Sequence, residues 1–547
     1  MRRLLAAAAI AVATGALGAQ QAAPQRDSIR REDLRADLFF LAGDGFRGRL
    51  TNAPENALAA DWIRSRFERL GLAPAGDEGS FIQRYNLSTA TLGEPSALAL
   101  TTSRGVHEVR SQGQDFYPLR FSASASVTAP VVLAGFGIES PERGYSDYGG
   151  SAVRGAVVLV FDHEPGERDP KSPFDGVVAS QVSTPIWKAL AAQDHGAVGM
   201  LVVADVHNHP GEINFEASVR NYWPSQPPRI ENYTLASWVD RIHIPVAQIS
   251  PALAAELVRG ANKSLEDLAR GAETTKGTTP QPLAGTQVEL TVGVNRHIVP
   301  DQNVLAAMDG SDARLKNEWV VICAHFDHNG ADGAQVYNGA DDDGSGTVGL
   351  LDIAEAFALA AQQGAKPRRS ILLAAWNSEE RGLLGAWAYT ERPTVAPLDR
   401  IVAVLNMDMI GRNEEVPVGG GPRFRGLDEQ TAESNRNATN LIGTTRSPEL
   451  AAIVNAANAG IGLELKKRYD NNASNLMRRS DHWPFIQRGV PALWFHTGLH
   501  PDYHTTYDRP EKVNYEKMEK IVRLVYQAAW DVANGASRPT LTRAGTR

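Results

Sequence analysis

The 547-residue chain has a single cysteine, Cys323. One thiol excludes any disulfide within the chain, and its place inside the apolar stretch WVVICA marks it as a small buried hydrophobe. Long basic runs are also missing, and the formal net charge is −8. This argues against nucleic-acid binding, which carries a basic footprint. Beyond the N-terminus no segment reaches about 18 apolar residues in a row, so no membrane span is expected there. No internal repeat stands out. What remains is the composition of a soluble globular protein, 43% hydrophobic and 22% charged. The length exceeds one ordinary core and calls for roughly two to four domains.

The chain starts MRRLLAAAAIAVATGALGAQQAAP. Arg2 and Arg3 form a charged start, Leu4 to Val12 a short apolar run, and small residues follow, with cleavage expected near Ala19 or Ala23. This reads as a signal peptide over residues 1–23. No cysteine follows to carry a lipid. The mature protein is therefore expected to be secreted or periplasmic, without stable membrane insertion.

After the leader, ALAADWIRSRFERLGLAP reads as a helix, with Ala59, Ile63, Phe67 and Leu70 on one face. Residues 128–255 form an α/β unit of their own, with strands VVLAGFGI, AVVLVFD, AVGMLVVAD and IPVAQIS and a helix PIWKALAAQDHG. Residues 255–285 read as a return linker or a surface helix with loops. From about 286, apolar strands VELTVGV, WVVICA, SILLAAW, RIVAVLNM and VPALWF alternate with helices at Thr347–Gln363, Leu383–Thr390, Pro448–Ala459 and Tyr515–Asn534. That alternation predicts an α/β fold, a mixed sheet covered by helices on both faces. Residues 412–447 are polar and read as a long loop.

Titratable groups follow these strands. His325, Asp327 and His328 follow WVVICA; Ser378, Glu379 and Glu380 follow SILLAAWN; Asp408 follows RIVAVLNM; and His496, His500 and His504 follow VPALWF. The loop YNGADDDGSG adds Asp341, Asp342 and Asp343. In open α/β sheets, sites form beyond the carboxyl ends of the strands. Each motif alone has a plain reading. His-x-Asp is usually a surface turn, GADDDGSG caps a helix with Ser345, and a Glu pair starts a solvated helix. Asp408 fits such a reading less well, because an unpaired buried carboxylate is costly. Together, histidines and carboxylates without thiols suit zinc or a similar divalent metal. Two ions sharing one carboxylate can hold a common water, and a further carboxylate must then take its proton.

The motifs AHFDH, NGADDDGSG, NSEERGLLGA, LNMDMIG, RSDHWPF and HPDYHTTYD stand in an order that resembles the co-catalytic di-zinc exopeptidases. That group includes bacterial leucyl aminopeptidases, glutamate carboxypeptidases and the divergent glutaminyl cyclases. The resemblance covers most of 286–530. It implies two zinc ions per chain, held by His325, Asp342, Glu380, Asp408 and His504. Asp342 would be the bridging ligand, Glu379 the general base, and Asp327 the carboxylate orienting His325. Asp481 and His482 would support the pocket. The family tyrosine that holds the reacting carbonyl has no counterpart at Met477 or Arg478, which leaves Tyr469, Tyr503 or His496 for that task. VVLAGFGI, DYGGSAVRGAVVLV and HGAVGMLVV resemble a protease-associated domain. The implied layout is residues 24–127 and 286–547 as the catalytic domain, with 128–285 as the insert and its return linker.

The expected function is hydrolysis of N-terminal residues from peptides. A carboxypeptidase or dipeptidase on the same site is the alternative, with a glutaminyl cyclase behind them. A non-enzymatic binding protein would have shed ligands or base, and none is missing here. His163, His207 and His209 read as loop residues without a matching carboxylate set. His500 lies close enough to His504 to support it.

Overall fold

A computed structural model describes residues 22–102, 107–150, 152–210 and 214–542. Residues 1–21, which hold most of the expected leader, lie outside them.

The near-continuous apolar stretches form strands Ser370–Trp376, Trp319–His325, Ile401–Met407 and Ala492–His496, adjacent in that order and parallel. They are the centre of a ten-stranded mixed sheet. Side chains alternate across the Trp319–His325 strand. Val320, Ile322 and Ala324 enter one core, and Trp319, Val321 and Cys323 the other. Both faces are therefore apolar and both are covered. Helices Arg31–Leu41, Pro54–Arg69, Gly346–Gln362 and Tyr515–Asn534 pack on the first face, and Leu384–Glu391 and His482–Gln487 on the second.

Local sequence explains these helices. In Pro54–Arg69, Ala59, Ile63 and Phe67 are fully buried on the expected face, while Leu70 falls one residue past the end. Gly346–Gln362 is apolar almost all round, as suits a helix between sheet and outer helices. The segment Ala340–Gln362 has the length and composition of a membrane span, but 83% of it is buried and it serves as a core helix.

Two expectations change. Residues 412–447 are not all loop, because Ala438–Ile442 is a strand antiparallel to Ala492–His496. ATNLI is too short to show a period, and its burial on both faces comes from its neighbours. In residues 255–285 the surface-helix alternative holds, but the segment ends in a strand in place of a loop. Helix Leu265–Ala272 buries Leu265, Leu268, Ala269 and Ala272 on one face, and Gln281–Val292 is a strand.

That strand belongs to a second, eight-stranded sheet with its own core. The order is His107–Arg110, Ala97–Thr102, Gln281–Val292, Ala125–Leu133, Val157–Phe161, Gly199–Val203, Val246–Ile249 and Phe116–Pro118. Strands on the N-terminal side of residue 128 thus join it too.

Candidate metal centre

The four central parallel strands end at one edge, and the ends carry His325, the Ser378–Glu380 turn, Asp408 and His496. The Asp341–Asp343 loop runs into helix Gly346–Gln362 beside them. His325 Nε2 lies 3.4 Å from Asp342 Oδ1, 3.7 Å from Glu379 Oε2 and 3.8 Å from Asp408 Oδ1. On the other side, His504 Nε2 lies 2.9 Å from Asp342 Oδ2 and 3.2 Å from Glu380 Oε2. Asp342 therefore stands between two groups, with one oxygen toward each. All the expected ligands meet here.

Asp327 fastens this arrangement. Its Oδ1 accepts the Glu379 N–H at 3.0 Å and its Oδ2 the Glu380 N–H at 3.3 Å, while Oδ1 also sits 3.5 Å from His325 Nδ1. One carboxylate so orients an imidazole and the glutamate pair. Ser378 takes a left-handed φ of 56°, which starts the tight turn that sends Glu379 and Glu380 to different groups. Asp343 accepts from Gly346 N at 2.8 Å and Met409 N at 3.1 Å, tying the helix start to the strand that delivers Asp408. Asp341 binds Gly411 N at 2.6 Å and faces His500 Nε2 at 3.3 Å, so His500 braces the loop and stays out of the ligand groups.

The electrostatics follow from burial. Burial works to raise the Asp342 carboxyl, but His325 and His504 outweigh it and hold it well below the usual range. The Glu379 carboxyl moves the other way, pushed well up by burial and then by Asp408, Asp481 and Glu380 against the pull of His325. Burial disfavours a charged His504, yet Glu380 and Asp342 lift its imidazole to about 10. Many carboxylates share this small volume, and a buried excess of one charge needs a counter-charge. His325 Nε2, Asp342 Oδ2 and both ring nitrogens of His328 are buried without a well-formed hydrogen bond. Such atoms fit a bound cation. His325, Glu379 and Asp408 form one set whose ligand atoms lie within 4.8 Å of one another, and His328, Asp342 and Glu380 form a second.

Residues 303–529 match the model of Peptidase family M28. This segment belongs to that family. It contains every metal-site residue named above. Over a wider span the chain resembles a probable glutamate carboxypeptidase of Zea mays, 29% identical over 517 residues, which cover 89% of this chain and 63% of that protein. It also resembles leucine aminopeptidase 2 of Trichophyton equinum, 29% identical over 196 residues, covering 36% of this chain and 33% of that one. The chain thus spans less than two thirds of these curated relatives. Among solved structures, an aminopeptidase from Aneurinibacillus sp. strain AM-1 aligns at 18% identity and TM-score 0.49, over 95% of this chain and 96% of that one.

Within and around the M28 segment, further residues outside the expected ligand set reach the site. His328 Nδ1 contacts Glu380 Oε1 at 2.7 Å, and its ring sits edge-on to His504. Its signal was present, since it stands in AHFDH beside the expected ligand. Ser480 donates to Asp408 Oδ2 at 2.5 Å, so the RSDHWPF block reaches the site through its serine. Asp481 and His482 are buried behind it. Arg479 donates to the Tyr503 hydroxyl at 3.0 Å, and both line the pocket over Asp342, Glu379 and Asp408. His496 lines it too, while the Tyr469 hydroxyl bonds Glu414 and does not. Arg49, from the N-terminal region, lies fully buried beneath the site and donates to the carbonyls of Phe326, Leu41, Asn338 and Gly339.

Proposed function

We propose that the protein is an exported di-zinc exopeptidase that removes residues from the amino end of peptides. The observation that carries this reading is the placement of Asp342, one oxygen toward His325 and the other toward His504. His325, Asp408 and Asp342 would hold one ion, and Glu380, His504 and Asp342 the other, with His328 packed against Glu380. Zinc bound there supplies Lewis acidity for the peptide carbonyl and makes water more acidic.

The chain's own residues do the rest. Glu379 takes a proton from the attacking water and returns it to the departing amine. Its Oε2 lies 3.7 Å from His325 Nε2, so it borders the first ligand group while facing the pocket. Tyr503 accepts from Arg479, which leaves its own proton to donate to the carbonyl oxygen as negative charge develops. That assigns it the task left open by Met477 and Arg478.

The second unit is read as a protease-associated domain that limits access. Its support is contact with the pocket wall. Val177 N donates to Asn471 Oδ1 at 2.9 Å, Ala179 N to Asn475 Oδ1 at 3.0 Å, and Arg478 to the Ala179 carbonyl at 2.9 Å. Those residues flank Leu476 and Arg479, which line the pocket. Arg479 also favours a second reading, since a half-buried guanidinium lining the pocket beside the catalytic carboxylates suits a peptide's terminal carboxylate.

One peptide, with its amino end free and acetylated, separates the two. Stepwise loss of N-terminal residues from the free form alone is expected. Shortening of both forms from the carboxyl end would replace the aminopeptidase reading with the carboxypeptidase one.

A further inference from the structure

Strands Val157–Phe161 and Gly199–Val203 are adjacent and parallel in the second sheet. The loops beyond their carboxyl ends form a cleft lined by Tyr117, His163, Asp205, His209 and Phe215, among others. The first loop brings His163 and Glu167, the second His209. His163 Nδ1 lies 2.7 Å from Glu167 Oε2, and His209 Nε2 lies 2.6 Å from Glu167 Oε1. Both carboxylate oxygens are used, one by each imidazole. The carboxylate that the sequence did not show beside these histidines is therefore Glu167, supplied by the next turn of the same loop.

We propose that His163, Glu167 and His209 form a zinc-binding site in the second domain, separate from the centre in the M28 segment. Two imidazoles and one carboxylate are the donor set of three-ligand zinc sites that keep a fourth position open. Their ligand atoms all lie within 4.8 Å of one another. Tetrahedral zinc with bonds of about 2.0–2.1 Å spaces its ligand atoms about 3.3 Å apart, so with Glu167 Oε2 as the ligand the 2.7 Å contact to His163 Nδ1 would open by roughly 0.6 Å. Side-chain rotation supplies that. A hard ion such as calcium would want more oxygen ligands than this trio offers.

The surroundings hold the trio in place. Glu273 ties the two loops together, accepting from Gly166 N and from Asn208 Nδ2, each at 2.7 Å. Asp205 accepts from His207 N at 3.0 Å and Asn208 N at 3.2 Å, fixing the turn that ends at His209. His163 adopts a left-handed φ of 66°, and the buried Lys188 ammonium donates to its carbonyl at 2.5 Å. Such anchoring of ligand-bearing backbone is what metal sites need. The nearby cations oppose metal only weakly. Lys188 is spent on backbone carbonyls, and Arg168 is mostly exposed at 4.0 Å from Glu167. Ser218 and Gln248 line the same cleft.

The test uses full-length protein stripped with chelator, reloaded with Zn2+, freed of excess and measured for bound metal. Asp342→Ala, in which the M28 centre is broken, is expected to retain one zinc per chain, and adding Glu167→Gln is expected to remove it. In the wild-type background Glu167→Gln or His163→Ala should lower zinc content by one per chain. Equal zinc in Asp342→Ala with and without Glu167→Gln overturns the proposal and identifies a plain hydrogen-bonded His–Glu–His bridge. If the combined variant fails to fold, Co2+ added to folded Asp342→Ala protein decides. A visible band of four-coordinate cobalt, abolished by a calibrated excess of Zn2+ and not by Ca2+, is expected. Its absence overturns the site.

Discussion

Arg49→Met isolates the buried guanidinium that joins the N-terminal region to the metal centre. Arg49 donates to Phe326 O at 2.7 Å, Leu41 O at 3.1 Å, Asn338 O at 2.8 Å and Gly339 O at 2.8 Å. Phe326 belongs to the AHFDH strand end, Asn338 and Gly339 to the loop leading to Asp342, and Leu41 to the end of helix Arg31–Leu41. Burial pulls the guanidinium pKa down, while Asp327, Asp343, Asp508 and Asp342 pull it back up. Methionine fills much of the volume but leaves the four acceptors without their donor. At about 1–3 kcal/mol for each buried group left unpaired, the gross cost is about 4–12 kcal/mol. Release from burying a charge offsets part of it, and removal of one partner from buried ionic networks costs about 3–5 kcal/mol in practice. The expected loss is therefore about 4 kcal/mol, a large share of ordinary domain stability. Arg49→Lys should recover little, because an ammonium lacks the fork that reaches carbonyls in several directions. Urea unfolding followed by tryptophan fluorescence reports it, with Trp376 and Trp483 buried in the catalytic core. A loss below about 1 kcal/mol would refute the reasoning, since it would mean the four bonds are replaced without cost.

Other expectations follow from the same site and from the second domain. Glu379→Gln should lower kcat by about 10²–10⁴-fold, the usual range for lost acid–base catalysis, while metal content stays unchanged. Loss of metal in that variant would make Glu379 a ligand instead. Tyr503→Phe should lower kcat by about 10²–10³-fold with little change in KM if it stabilises the oxyanion, and a change in KM alone would remove that role. Burial raises the Glu164 carboxyl from 4.5 to about 7 against the Ser180 hydrogen bonds, so the folded state binds its proton more tightly than the unfolded chain. The stability this proton confers is complete below pH 4.5 and is lost as pH rises to about 7, at most about 3 kcal/mol. Glu164→Gln should flatten stability between those limits in urea titrations at pH 5 and pH 7.5, and an unchanged pH slope would contradict the assignment.

The central sheet was legible because WVVICA, SILLAAW, RIVAVLNM and VPALWF are near-continuous apolar runs, each ending in a group too polar for the core. Tyr515–Asn534 was legible to the residue, and the structure adds that the Asn514 side chain caps it by accepting from Lys517 N. Ala438–Ile442 was not, because five residues buried by their neighbours carry no period of their own. The convergence of His325, Asp342, Glu380, Asp408 and His504 could be expected, since each follows a strand that must end at one edge. Arg49 could not, because its four carbonyls belong to segments as far as 290 residues away along the chain. The same holds for Glu167, whose partners His163 and His209 meet only once two parallel strands lie side by side. Family motifs cannot report a site that lies outside them.

X-ray absorption at the zinc edge of the loaded enzyme, made in the His163→Ala/His209→Ala background, tests the central claim most directly. Two ions sharing the Asp342 carboxylate should give a metal–metal vector of about 3.5–4 Å. Asp342→Ala should abolish it. A spectrum with zinc bound but no metal–metal vector, or one that survives Asp342→Ala, would contradict a bridged two-ion centre.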